Sequence, residues 1–164
     1  MSIEKDKNMT RFTTEIAEQA LEIAMPFIQS IMKEQERKGL FINVGCNISK
    51  QIMAQRSIGN KQTDWNAPYD GIADSKVNIT FTTNKPSREV QLLYPEMVGG
   101  IGDTIYWGSW IDGGIVVAMS GLPPEWDEAC AKHICAIVRA LLTTQSKQDF
   151  VSDKHFTWLQ SLNI

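Results

Sequence analysis

The first strong pattern along the chain is helical. From Thr13 onward apolar residues return every three or four positions. Ile16, Ala20, Ile23, Phe27 and Ile31 form one stripe, with Ala17, Leu21, Ala24, Ile28 and Met32 beside it. Glu15, Glu18 and Glu22 come early and Lys33, Arg37 and Lys38 late, the order that a helix dipole favours, and Gly39 suits the residue that ends the helix. Pro26 falls inside the stripe. It removes one backbone hydrogen bond while the apolar pattern continues, so it predicts a kink. Residues 1–12 are polar and mixed in charge and read as a frayed arm.

Beyond Gly39 the period changes. Residues 40–46 (LFINVGC) predict a buried strand and residues 51–57 (QIMAQRS) an alternating partner, with Asn47-Ile48-Ser49 as the hairpin turn. Gly, Asn, Asp and Pro make 58–70 a loop. A second helix opens at Asp70 or Gly71 and runs to Thr83. Its β-branched residues leave helix and strand propensity nearly balanced, and Pro86 ends it. A short third helix spans 87–93. Gly99, Gly100 and Gly102 approach a strand at 104–110, Asp112-Gly113-Gly114 signals a second hairpin, and 115–119 is the most apolar strand. Ser120-Gly121-Leu122-Pro123-Pro124 closes that strand, and Pro124 suits the first turn of a last helix. That helix buries Trp126, Cys130, His133, Ile134, Ile137, Val138 and Leu141. From Thr143 the chain is polar until Phe150, and Phe156, Trp158, Leu159 and Leu162 predict a tail that packs on the domain or on a neighbouring subunit.

Length and composition narrow the function classes. With 164 residues and no internal repeat, the chain reads as one domain with its core over 12–142 and a tail over 143–164. A net charge of −3 argues against a nucleic-acid partner or an anionic membrane, which both need a basic footprint. No apolar run is long enough to cross a bilayer, and the N-terminal residues lack a secretory pattern. Cys46, Cys130 and Cys135 form no CxxC pair, which fits reduced thiols and a cytoplasmic setting.

The segment from Gly99 to Leu141 combines a glycine-rich approach, a strand, the Asp112-Gly113 turn, an apolar strand ending in Ser120-Gly121 and a helix whose start carries Asp127-Glu128. Upstream, Ala73-Asp74-Ser75-Lys76 through Thr80 precedes Pro86-Ser87-Arg88-Glu89. In this order these pieces resemble the GlcG/HbpS-like family, which includes the C-terminal domain of PduO-type adenosyltransferases. The resemblance spans residues 12–142. It implies an α+β fold, a profilin-like layer with a five-stranded antiparallel sheet flanked by helices, and assembly into a homo-oligomer. It also implies a link to tetrapyrroles, so that haem, a corrinoid or another small acidic ligand is expected, with Lys76, Thr80, Arg88, Asp127 and Glu128 as its binding residues. An enzyme acting on a small metabolite is the alternative. Three departures bear on the site: Cys46-Asn47-Ile48-Ser49 at the first turn, the added Gly102-Asp103, and the C-terminal tail.

Each candidate has a plain structural account beside the functional one. Asp127 and Glu128 can serve the helix N-terminus, where an acid contributes roughly 0.3–1 kcal/mol, or can line a ligand site or subunit interface. Lys76 lies among small polar residues and either binds a carboxylate as a point charge or pairs with Asp74 or another acid. Cys130 and His133, three apart, can share a face and hold a metal or a haem iron, yet their apolar neighbours favour a packed histidine. His155 is the second histidine, and no metal site is expected. Gly99-Gly100-Ile101-Gly102 lacks the Lys-Ser/Thr of a phosphate loop. Trp65, Trp107, Trp110, Tyr69 and Tyr106 are dense enough to suit a flat ligand, an interface or ordinary core. Cys46 and Met53 are the remaining candidates for an iron ligand.

Overall fold

The computed structural model describes residues 11–97 and 106–152. Its elements are α1 (Thr14–Glu34), β1 (Leu40–Cys46), β2 (Gln51–Ile58), α2 (Tyr69–Thr83), α3 (Ser87–Leu93), β3 (Ser109–Asp112), β4 (Ile115–Ser120) and α4 (Pro124–Ser152), with a 3-10 turn at Pro95–Met97. Among the described residues the sheet has four strands, not the five expected, in the order β2-β1-β4-β3 with every neighbour antiparallel. The strand expected at 104–110 is β3, which begins at Ser109; just before it Gly108 has φ +143 and its carbonyl accepts the Met119 amide at 3.1 Å, while residues 98–105 lie outside the described set.

The two central strands, β1 and β4, are buried on both faces because helices cover the sheet from both sides. Ile115, Val117 and Met119 of β4 join Leu40, Ile42 and Val44 of β1 in the main core, under α1 and α4. Val116 and Ala118 point the other way, against Val77 and Phe81 of α2. All six residues of β4 are therefore buried, and its uninterrupted apolar run follows from this. Gly45 has a specific reason to be glycine: a Cβ there would lie 2.6 Å from the Phe81 ring.

Helix α1 starts as expected, with Thr13 Oγ1 accepting from the Ile16 amide at 3.3 Å. It continues through Pro26 as one element and buries the whole second stripe, Ala17, Leu21, Ala24, Ile28 and Met32, together with Ala20 of the first. Ile23 of the first stripe is 51% exposed. The helix ends before Gly39, at a left-handed Glu36 (φ +53). Gly39 serves packing instead, since a Cβ would lie 2.3 Å from the Trp65 ring. Helix α4 runs on to Ser152, so the polar stretch from Thr143 begins as helix and not as a loose tail. The apolar residues Phe156, Trp158, Leu159 and Leu162 lie outside the described residues.

Gly121 joins β4 to α4 at φ +136, and a Cβ there would lie 2.5 Å from Leu40 Cβ and 2.7 Å from the Gly39 carbonyl. Both strain and overlap oppose any side chain at this position. Gly121→Ala is expected to lower stability by roughly 2–4 kcal/mol in urea unfolding, and a loss below about 1 kcal/mol would contradict this reading.

Candidate functional site

The candidate site is built where β4 ends. Helix α2 presents Tyr69, Ile72 and Lys76 along one face, and the Ser120–Pro124 turn delivers Asp127 on the first turns of α4. These residues line a cavity of about 260 Å³ together with Arg37, Asn66, Ala67 and Tyr106. At its base Lys76 Nζ donates to the Met119 carbonyl at 2.6 Å and to Asp127 Oδ2 at 3.2 Å, and both side chains are almost fully buried. The other carboxylate oxygen, Oδ1, accepts from the Leu122 amide at 3.1 Å. Asp127 thus holds the turn before its helix and a buried cation, rather than the first-turn amides that the sequence suggested. Lys76 pairs with Asp127 and not with Asp74, which accepts from Asn43 Nδ2 at 2.8 Å.

The pair sits tightly under backbone. Gly108 lies over it, and a Cβ there would come 2.6 Å from Asp127 Cβ and 2.9 Å from Lys76 Nζ. Burial therefore dominates the electrostatics of both groups. It lowers the Lys76 pKa, against the pull of Asp127. It pushes the Asp127 carboxyl up to about 6, against Lys76, the Leu122 amide and Arg37. Each group is thereby drawn toward its uncharged form at the wall of a cavity.

The other sequence candidates divide into two groups. Glu128 faces away from the cavity, accepting from Arg88 Nε at 2.9 Å and lying 3.4 Å from Lys132 Nζ. Arg88 and Lys132 also stand over the rings of Trp107 and Trp110, at 5.7 and 4.2 Å from their centroids. Thr80 is buried in a chain of hydroxyls that knits α2, α3 and β3. Its Oγ1 is 2.7 Å from Ser109 Oγ, which accepts the Ser87 amide at 2.9 Å, while Ser87 Oγ accepts the amides of Gly108 and Ser109. Among the five, the fold brings Lys76 and Asp127 to one cavity, and Arg88 with Glu128 to a separate ion cluster. Arg37 was read as a dipole partner of α1; the structure places it on the cavity wall, where Nη1 donates to the Gly121 carbonyl at 3.4 Å. A lone basic residue after a helix carries no signal of that kind.

A larger hollow, about 560 Å³, lies elsewhere, lined in part by Arg11, Cys46, Ile48, Asp112, Arg139 and Lys147. Burial opposes ionisation of Cys46, yet the Ser49 and Ile48 amides, the Ser49 hydroxyl and Lys50 together outweigh it, and the thiol sits below its ordinary pKa. Burial pushes the Cys130 and Cys135 thiols up to about 12, which makes them inert. His133 lies against the Phe27 ring, centroids 4.2 Å apart, and lines neither cavity. No group of three or more candidate metal ligands exists among the described residues.

The architecture is an α+β layer in which helices cover both faces of an antiparallel sheet. Solved structures of the family that the sequence resembles share this fold. HbpS is 16% identical, with the match covering 79% of this chain and 92% of that one at a TM-score of 0.60. The Klebsiella pneumoniae protein ORFY of the DUF336 family is 13% identical, over 81% and 96% of the two chains, at 0.61. PduOC, solved as a complex with heme, is 13% identical over 79% and 94%, at 0.53. No family profile matches the chain, and no curated protein matches it. At these identities the likeness is one of fold.

The pair makes stability depend on pH. Asp127 has its folded pKa, about 6, above its ordinary 3.8, so its contribution is full below about pH 4 and is lost as pH rises through about 6. Lys76 runs the other way, its contribution being lost as pH falls through its lowered folded value. Urea unfolding of wild type and Asp127→Asn at stepped pH should show the difference moving against wild type by on the order of 2–3 kcal/mol between about pH 4 and 6. A flat difference would mean that the Asp127 carboxyl is not displaced.

Proposed function

We propose that this chain is a small-molecule-binding protein whose ligand is a small organic acid seated over Lys76 and Asp127. The observation that carries this is the cavity itself. It encloses about 260 Å³, is walled by Arg37 and Lys76, and has a buried acid at its base. Drug-sized ligands occupy roughly 300–1,000 Å³, so this volume suits a compact metabolite and excludes a tetrapyrrole. Arg37 supplies the fork geometry that matches a carboxylate. The PduOC–heme complex supports ligand binding on this fold without fixing its chemistry here.

A second reading keeps haem, at the other hollow. About 560 Å³ of space, a Cys46 thiol of lowered pKa, and Arg11 and Lys147 on the wall favour it as the place for an iron-bearing planar ligand with acidic arms. Arg139 contributes less, because both its bonds go to Asp112 at 2.7 Å. Added haem should then shift its Soret band, and Cys46→Ser should alter the spectrum; an unshifted band removes this reading.

Assembly into a homo-oligomer completes the proposal. Leu92 and Leu93 are 71% and 60% exposed on α3, beside Tyr94, and such a patch is suited to burial against another copy. Light scattering that gives a single 18.4 kDa species at micromolar concentration would oppose it. For the ligand, a panel of short carboxylates, 2-oxo and 2-hydroxy acids among them, should include one that raises Tm, by a few degrees at a hundred times its Kd, since that occupancy adds about 2.7 kcal/mol. Arg37→Ala should weaken it by about tenfold or more. No shift across the panel would overturn the assignment.

A further inference from the structure

We propose that Lys76 is a nucleophilic amine that condenses with the carbonyl of a small 2-oxo acid held in this cavity, with Asp127 as the proton carrier. The inference rests on the small-acid reading of the cavity and names the class of ligand and the chemistry.

The reasons lie in the arrangement. A fully buried lysine is costly for a fold to keep, and a purely structural ion pair of this kind is weak support for stability. Here Lys76, though buried, is not sealed in apolar packing but lines a cavity that Arg37 also lines. Two partners orient it, the Met119 carbonyl at 2.6 Å and Asp127 Oδ2 at 3.2 Å. The Leu122 amide fixes the far oxygen of that carboxylate, so the acid cannot turn away. Gly108 removes the side chain that would otherwise collide with Nζ. An amine, an acid in contact with it and a cation for a carboxylate beside a carbonyl are the three groups that imine formation on a 2-oxo acid requires. Burial also favours the uncharged, nucleophilic amine, in the direction such chemistry needs.

The step balances within these groups. The Nζ lone pair forms a C–N bond to the carbonyl carbon as the C=O π pair moves to oxygen. That oxygen takes the proton of the Asp127 carboxyl, and the attacking nitrogen returns a proton to the carboxylate. Asp127 then protonates the hydroxyl, the C–O bond breaks, and the nitrogen lone pair closes the C=N bond. One water leaves for each imine formed, and nothing is oxidised or reduced.

The test uses the full chain with pyruvate and cyanoborohydride, which reduces an imine to a stable amine, followed by intact mass and peptide mapping. The expected result is one carboxyethyl adduct per chain on the Lys76 peptide, saturating with pyruvate and suppressed by lactate, which fits the same space without a carbonyl. Lys76→Arg should remove it, and Asp127→Asn should slow it by about a hundredfold. Should either variant fail to fold, the position of the adduct in the wild type decides. Adducts spread over exposed lysines such as Lys61 and Lys132 would overturn the inference. If pyruvate and lactate still raise Tm in that case, the small-acid cavity survives and only the amine chemistry falls. If neither acid shifts Tm and Lys76 stays unlabelled, both fall.

Discussion

A lysine amine and an aspartate carboxyl held 3.2 Å apart out of water constrain the whole lower half of this fold. Each is expensive to bury alone, so both must be met by fixed partners, and those partners come from four places: the end of β4, the turn after it, α4 and α2. The Met119 carbonyl and the Leu122 amide can reach the pair because Gly121 turns the chain sharply between them at φ +136. Gly108 must be glycine because its backbone closes over the same pair. Every buried side-chain nitrogen and oxygen among the described residues has a partner, so the polar core is complete and carries no open valence of its own.

The hydroxyl chain of Thr80, Ser109 and Ser87 does related work one turn along α2. It ties α3 and the start of β3 to that helix through buried hydrogen bonds. Helix α2 is therefore held to the sheet by polar contacts near both its middle and its end, with Val77 and Phe81 packing between. This explains its odd composition. A helix with so many small polar residues is neither a solvated surface helix nor an apolar core helix; its Thr80 and Lys76 face a sheet that answers them.

Chemically, the fold separates two kinds of acid–base contact. Glu128, itself buried, is shared by Arg88 and Lys132, whose side chains are each 45% exposed, so solvent reaches the cations and screens the attraction. Asp127, one residue earlier, is buried and strongly perturbed. Adjacent acids on one helix thus differ because the helix turns one toward the cavity and buried Lys76 and the other toward two half-exposed cations. The three buried thiols differ by their partners instead: the Ser49 and Ile48 hydrogen bonds lower the Cys46 pKa, while burial raises those of Cys130 and Cys135.

The sequence by itself determined the helices, the two hairpins, the buried character of β4 and the family likeness, because period, turn residues and apolar runs are local properties. It also named Lys76 and Asp127 among five candidate ligand residues, without pairing them. It left open which stripe of α1 faces inward and misplaced the stop at Gly39, since both depend on what packs against the helix: α4 and the sheet in one case, the Trp65 ring in the other. The family resemblance implied a fifth strand, which is absent among the described residues. Only tertiary structure decided that Lys76 and Asp127, 51 residues apart, are each other's partners, that Arg37 joins them and that Thr80 does not. Such pairings carry no period in the chain; they arise when a strand end, a turn and two helices converge on one point that excludes water.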